Sequence, residues 1–322
     1  KPYDGLSLSV VLKAEGTIEK HVVGSVTESL VADPVAPEDY ARLTEIFENP
    51  SLQMVTFTIT EKGYSLVNGK GEKLPGVEDG FLAGPGNQSH LMGRIASLCY
   101  ARFVKNGTPL ALVSTDNCSH NGDKLKAGVM AYVDAWKQAG KVDDDFVSYM
   151  EEKVSFPWSM IDKITPRPDE KVKEMLEKDG FEDTDLIITS RNTYTAPFVN
   201  SEETGYLVIE DNFPNGRPPL EKAGIVFTDR ETVDKVEKMK VCTCLNPLHT
   251  ALAIYGCMLG HTSIHDEMED KELSQLIQKM CYEEAMSVVV NPGVIDPKEF
   301  ANAVLTKRLP NPFMPDLSLI HI

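Results

Sequence analysis

Apolar and polar positions alternate at the start of this chain, run together in its middle and take a helical period towards its end. Residues 6–13, Leu-Ser-Leu-Ser-Val-Val-Leu-Lys, and residues 21–32 are β-rich, with Ala14-Glu15-Gly16-Thr17 as the turn of a hairpin between them. Residues 38–47 carry a short helical pattern closed by Asn49-Pro50. Met54-Val55-Thr56-Phe57-Thr58-Ile59-Thr60 is almost unbroken in apolar and β-branched residues, as in a strand buried on both faces of a helix-covered parallel sheet. The polar residues after it, Glu61-Lys62-Gly63-Tyr64, then lie at the strand's carboxyl end, where such sheets bind ligands. A helix over 89–105, the turn Asn106-Gly107, a second buried strand over 110–114, the polar loop Thr115-Asp116-Asn117 and a helix over 124–139 repeat the doubly wound α/β rhythm. Asp185-Leu186-Ile187-Ile188-Thr189 predicts a third strand.

From residue 234 to about 289 the pattern turns helical, which places a domain boundary near Asp229. Within it Ala251, Leu252, Ile254, Tyr255, Met258 and Leu259 are spaced for one buried helix face. Pro247 suits the first turn, where its missing N–H costs nothing; Asn246 takes the N-cap and His249 the first turn. Residues 237–249 thus gather Glu237, Lys238, Lys240, Asn246 and His249 just before an apolar helix. A lysine and a histidine near a helix N-terminus can exchange a proton and orient a polar substrate whose developing negative charge the helix end favours. The plainer alternative makes Asn246 a cap and His249 a satisfied first-turn residue.

Composition narrows the class. The 322 residues suffice for about two domains. Forty-nine acidic against 32 basic residues, a net charge of −17, read against a nucleic-acid surface or a polybasic membrane contact. No run of consecutive apolar residues approaches the roughly 18 of a membrane span, and no signal peptide opens the chain. Six cysteines without a C-x-x-C pair read as reduced thiols of a cytoplasmic protein, and against zinc.

Six blocks in order carry a resemblance: Ile59-Thr60-Glu61-Lys62-Gly63-Tyr64; Ser114-Thr115-Asp116-Asn117 with His120-Asn121-Gly122; Phe156-Pro157 with residues 160–166; Ile209-Glu210-Asp211-Asn212-Phe213 with Gly216-Arg217-Pro218; residues 237–249; and Arg308-Leu309-Pro310-Asn311-Pro312. Together they resemble the polyol-specific long-chain dehydrogenases, the mannitol dehydrogenase and fructuronate (mannonate) reductase family. The resemblance implies a partial Rossmann-like doubly wound domain over 1–229, lacking its first βαβ segment, and a mostly α-helical C-terminal domain over 230–322. It also implies metal-independent hydride transfer between NAD or NADP and C2 of a sugar acid or polyol. Lys240 matches the family's general base and Glu237 its proton-conducting glutamate. Asn117 and Asn246 match donors to the reacting oxygen, and His249 a residue that holds the substrate or the lysine. Asp162 matches a residue that binds a substrate hydroxyl or orients the lysine, and Arg308 a substrate-contacting arginine able to pair with a sugar-acid carboxylate. Thr60 and Glu61, with Asn117, fall on the cofactor side. The amine and the two amides are expected to converge on one cleft.

Each assignment has a structural alternative: Asn117 as a turn residue, Asp162 as a cap, Arg308 as a solvated surface charge. Asn87 and His90 read as loop residues. The lysine-to-asparagine spacing is one longer than the family's, so an insertion is expected within residues 241–245, with Lys238 in reserve for Lys240. Two departures concern the ends. The family's glycine-rich pyrophosphate turn has no counterpart, Gly84-Pro85-Gly86 having the wrong spacing, and no second active-site lysine follows Asn311-Pro312. The chain therefore reads as an internal piece of a longer one. Its closing residues 317–322 are expected to be non-native, since one frame of a common transposase adapter encodes the same six. The competing reading is a non-catalytic sugar-binding or assembly module.

Overall fold

The computed structural model describes residues 5–190 and 192–313; the closing residues 317–322 lie outside them. In chain order the first elements are β1 (Ser7–Leu12), β2 (Ile18–Val23), α1 (Pro37–Glu48), β3 (Met54–Phe57), α2 (Val77–Ala83), α3 (Leu91–Lys105), β4 (Leu110–Ser114), α4 (Asn121–Gln138) and α5 (Asp144–Glu152). There follow β5 (Val154–Ser155), β6 (Ser159–Asp162), α6 (Glu170–Lys178), β7 (Ile187–Ile188), β8 (Tyr194–Thr195), β9 (Phe198–Glu202), β10 (Tyr206–Glu210) and β11 (Val226–Thr228). The rest is helical: α7 (Arg230–Met239), α8 (Asn246–Leu259), α9 (Ile264–Glu269), α10 (Lys271–Lys279), α11 (Met286–Val288) and α12 (Pro297–Ala303). Three π turns, Lys240–Cys244, Met280–Ala285 and Val304–Arg308, interrupt this helical stretch.

The backbone partitions into two interleaved compact units. The α/β unit comprises Leu30–Ile161 and Leu207–Asp234; the composite unit comprises Lys1–Ser29, Asp162–Tyr206 and Lys235–Ile322. Each unit is assembled from separate stretches of the chain. The physical reason is long-range pairing: β9 lies parallel to β1, with Leu8 opposite Phe198 and Leu12 opposite Glu202, which ties the 162–206 segment to the N-terminal hairpin.

In the α/β unit β3, β4 and β5 form a parallel sheet in that order. Leu110 and Leu112 of β4 join a helix-side core with Met92, Ile95, Leu125, Val129 and Trp136, while Ala111 and Val113 pack on the other face with Ile209. That is the double-sided burial expected of a parallel strand. The segment from Met54 to Thr60 differs: it is a strand only to Phe57, its one buried residue, because β3 is an edge. Helix α3 starts at Leu91, and His90, read from sequence as a loop residue, caps it by accepting from the Met92 N–H at 3.2 Å. Arg102 of α3, fully buried, donates to the carbonyls of Phe47, Asn49, Leu52, Thr108 and Pro109 at 2.6–3.0 Å, tying the ends of three segments together. A second sheet orders β11-β10-β6, with β10 and β11 parallel; β5 and β6, hidden in sequence by Pro157 between two very short strands, were not anticipated.

In the composite unit β1 and β2 form the expected antiparallel hairpin, Ser7 opposite Val23 and Leu12 opposite Ile18, though β2 ends at Val23 rather than residue 32. Val10, Leu12, Val172, Leu176, Phe198 and Phe313 make its small core. The third strand expected at 185–189 is instead an exposed two-residue pairing of β7 with β8, Ile187 and Ile188 being 57% and 60% exposed. Helix α8 also departs from expectation. It buries Leu248, Leu252, Ala253 and Gly256 and exposes Ile254, Tyr255, Met258 and Leu259. The helix is apolar on both sides, so periodicity could not choose the inner one. Arg230–Leu259 runs on as 30 helical residues through the π turn and, by length and composition alone, is among the described residues the helix able to cross a membrane.

Candidate active site

Lys240 is buried because it opens the π turn after α7, just beyond Val233, Val236 and Met239, whose side chains face inward. An ammonium in such a place needs an anion, and Asp162, the last residue of β6, supplies it with Oδ1 3.0 Å from the lysine Nζ. The second oxygen of Asp162 accepts from Arg308 Nη1 at 2.7 Å, and Arg308 Nη2 donates to Glu202 Oε1 at 2.5 Å. Glu202, ending β9, is held in turn by the Ile164 N–H on Oε1 at 2.5 Å and the Thr204 hydroxyl on Oε2 at 3.0 Å. Two cations and two anions, all within the composite unit and all at most 5% exposed, therefore share one hydrogen-bonded row.

Burial dominates the protonation of this row. It lowers the pKa of Lys240 from 10.5, with Asp162 opposing and Arg308 assisting, and it raises Glu202 against the pull of Arg308. Burial, then Asp162, likewise raises the Tyr206 hydroxyl. A lysine whose ammonium is destabilised gives up its proton more readily, and one held by a carboxylate is also oriented. Lys238, the reserve, is exposed.

Glu237 is half-buried one turn before Lys240, and His249 is half-buried in the first turn of α8. Asn246 is exposed and is the first helical residue rather than the N-cap, which Leu245 occupies. The π turn displaces it: the Leu245 N–H still reaches the Lys240 carbonyl at 3.1 Å, and the His249 N–H the Leu245 carbonyl at 3.0 Å. Arg308 is neither the solvated charge nor a guanidinium with both ends open to a carboxylate, since Asp162 and Glu202 take both terminal nitrogens. Asp162 lies on a strand and caps no helix. Glu202 was not singled out from sequence; a glutamate in a β pattern next to the exposed Glu203 carries no signal until its neighbours across the fold are known.

The α/β unit builds a second polar cluster at the carboxyl ends of β3 and β4. Asp116 accepts from the Ile59 N–H at 2.9 Å, the Thr60 N–H at 2.8 Å and the buried Tyr64 hydroxyl. These bonds hold Thr60 at φ 63°, ψ 161°, a conformation that side-chain-bearing residues rarely adopt and that costs about 1–3 kcal/mol. Thr60 and Glu61 are exposed there, Glu61 ion-paired with Lys124, and Asn117 is exposed beside Asp116. Fully buried Asn121 fixes the loop from below, donating to the Asp116 carbonyl and Ser159 Oγ at 3.0 Å and accepting from the Ser159 N–H at 3.0 Å. Gly122 is required beside it: a Cβ would lie 2.6 Å from the Phe156 carbonyl. Thr60, Glu61, Tyr64, Leu66, Leu74 and Lys124 line a 1150 Å³ cleft. Its position past a parallel strand and its mixture of apolar wall, hydroxyl and ammonium suit the ring and ribose of a nicotinamide cofactor.

Among the described residues, the trio whose ligand atoms come within 4.8 Å of one another is His265, Asp266 and Glu269, none of them in the Lys240 row.

Comparison with known proteins accords with this arrangement. The family model described as the mannitol dehydrogenase Rossmann domain matches residues 1–222, and that of the mannitol dehydrogenase C-terminal domain matches residues 232–318. The D-mannonate oxidoreductase of Thermotoga maritima is 52% identical over 98% of this chain, which spans 59% of that protein. Mannitol dehydrogenase 2 of Saccharomyces cerevisiae is 29% identical over 92%, of which the chain spans 55%. Among solved structures, a D-sorbitol dehydrogenase in substrate-free form superposes with a TM-score of 0.81 at 25% identity, over 96% of this chain and 59% of that one. The mannitol 2-dehydrogenase of Pseudomonas fluorescens, in ternary complex with NAD and D-mannitol, gives 0.76 at 25% identity, over 98% and 60%. With an α/β unit, a helical segment and a model match over most of its length, the chain belongs to the mannitol dehydrogenase family.

Proposed function

We propose that the chain serves an NAD(P)-dependent oxidoreductase acting at C2 of a sugar acid or polyol, with fructuronate/mannonate as the favoured pair and mannitol/fructose or tagaturonate/altronate next. The observation that carries the reading is the buried Lys240 ammonium, 3.0 Å from Asp162 and shifted towards its neutral form. The 52% identity to a D-mannonate oxidoreductase supports the sugar acid, and a structural neighbour solved with NAD supports the cofactor. The nicotinamide supplies the hydride acceptor, with Thr60, Glu61 and Asn117 on its side. Lys240 removes the C2 hydroxyl proton as the alcohol is oxidised and returns it to the oxygen on reduction; no metal is needed for this step. Asn117 and Asn246 donate to the oxygen as charge builds on it, where one preorganised donor is worth about 3 kcal/mol. His249 orients the substrate or the lysine, Glu237 carries the proton towards solvent, and Asp162 fixes the amine. Arg308 acts on the substrate end through Asp162.

The test is absorbance at the nicotinamide band with fructuronate, fructose and tagaturonate, in this chain and in a form carrying the additional length its relatives possess. Turnover that falls by a factor of about 10²–10⁴ in Lys240→Ala supports the assignment. Undiminished turnover in that variant removes Lys240 from the chemistry. Sugar binding without turnover in either form favours the sugar-binding module instead.

A further inference from the structure

The row does not end at the aspartate that touches the lysine. Asp162 divides its two oxygens between Lys240 and Arg308, so a guanidinium competes with the amine for one carboxylate. Left alone, that guanidinium would draw Asp162 away from the lysine. Glu202 prevents this: 1% exposed at the end of a strand paired with β1, and held by Ile164 and Thr204, it is a fixed anion placed on the far side of Arg308. We propose that Glu202 is a positioning residue which, by neutralising Arg308, keeps Asp162 available to Lys240 and so sets the pH at which the lysine takes a proton. This rests on the reading of Lys240 as the acid/base.

Among the charged and titratable groups bearing on the amine are Asp162 from β6, Glu202 from β9, Arg308 from the last π turn and, beside Asp162, the hydroxyl of Tyr206 from β10. Their signs are opposed: Asp162 and Glu202 favour the ammonium, Arg308 disfavours it. Opposite outcomes for two neighbouring substitutions follow, which a merely structural role would not produce.

Lysines labelled with ¹³C at Cε report the protonation of each amine by NMR, without substrate or cofactor, and the resonance lost in Lys240→Gln identifies the one of interest. Its midpoint in the unaltered chain lies below the 10.5 of a free lysine. In Glu202→Gln, which keeps the size and one acceptor oxygen but removes the charge, the midpoint falls by a further ~0.5–1 unit. In Glu202→Asp, which keeps the charge, it moves by less than about half that. In Arg308→Gln it rises, and this arm decides alone if Glu202→Gln does not fold. A midpoint unmoved in Glu202→Gln, or moved in the same direction by both neutral variants, overturns the positioning role while leaving Lys240 as the base. A Lys240 midpoint at or above 10.5 in the unaltered chain overturns the acid/base reading itself.

Discussion

Among the described residues the buried arginines are Arg102 and Arg308, and they are buried differently. Arg102 in the α/β unit meets five backbone carbonyls and no carboxylate, and all its N–H directions are used. Arg308 in the composite unit meets two carboxylates, and its Nε has no partner. Neutral carbonyls gathered from three chain segments make a fastening, insensitive to pH. Carboxylates shared with a lysine make a row whose protonation can change. A buried guanidinium is therefore structural or chemical according to what accepts its hydrogen bonds.

Substitutions can break that contrast. The largest effect is expected at Arg102→Met, which strands five buried carbonyls and should cost about 5 kcal/mol in urea unfolding, equally at pH 5 and pH 8. Arg308→Met should cost about 3 kcal/mol at pH 8 and less at pH 5. Without the guanidinium, Glu202, already raised by burial, binds its proton more readily in the folded than in the unfolded chain, so stability rises as pH falls. A pH-independent loss there would put the two arginines in one class.

Glu267 sharpens the contrast within the composite unit. Fully buried, with neither carboxylate oxygen partnered, it lies against Gly256 and is pushed up to about 7 by burial, then by Asp266. Its folded pKa exceeds the ordinary 4.5, so its contribution is full below about pH 4.5 and is lost as pH rises towards 7. Glu267→Gln should flatten that slope in melting temperature. Gly256→Ala would ordinarily strengthen a helix by about 1 kcal/mol, but its Cβ would sit 1.6 Å from Glu267 Oε1, and we expect a net loss of about 2 kcal/mol. The smallest effect belongs to the α/β unit, whose stored cost is in the backbone: Thr60→Gly should raise stability by about 1 kcal/mol by relieving its φ of 63°. A loss there would mean that the threonine side chain outweighs the strain.

Much of the fold was legible because it is local. The β4 core strand, strand β1 with the turn after it, and helices α1, α3 and α4 follow from period, turn residues and caps within a few residues of their true ends, whereas β2 stops nine residues short of its expected end. What was not legible depended on distant partners. Only the β1–β9 pairing shows that 162–206 belongs with the N-terminal hairpin, and only three-dimensional packing shows which apolar face of α8 turns inward. The site divides the same way. Lys240 and Asp162 were named from sequence, and their contact accounts for both. Glu202 and the anchoring by Asp116 were missed, because a carboxylate's partner 106 or 57 residues away leaves no mark on its neighbours.

The π turn at Lys240–Cys244 sits where the sequence expects its insertion. A π turn holds one residue more than an α turn, so excising one of residues 241–243 could be absorbed by tightening the coil, with every rung of its ladder re-formed one step shorter. Everything downstream would then keep its bearing about the axis, since the wider turn closes about one revolution with one residue more. A change of one residue in length at this spot is thus taken up by the turn itself, which leaves the amine, the asparagine and the histidine aimed as they are.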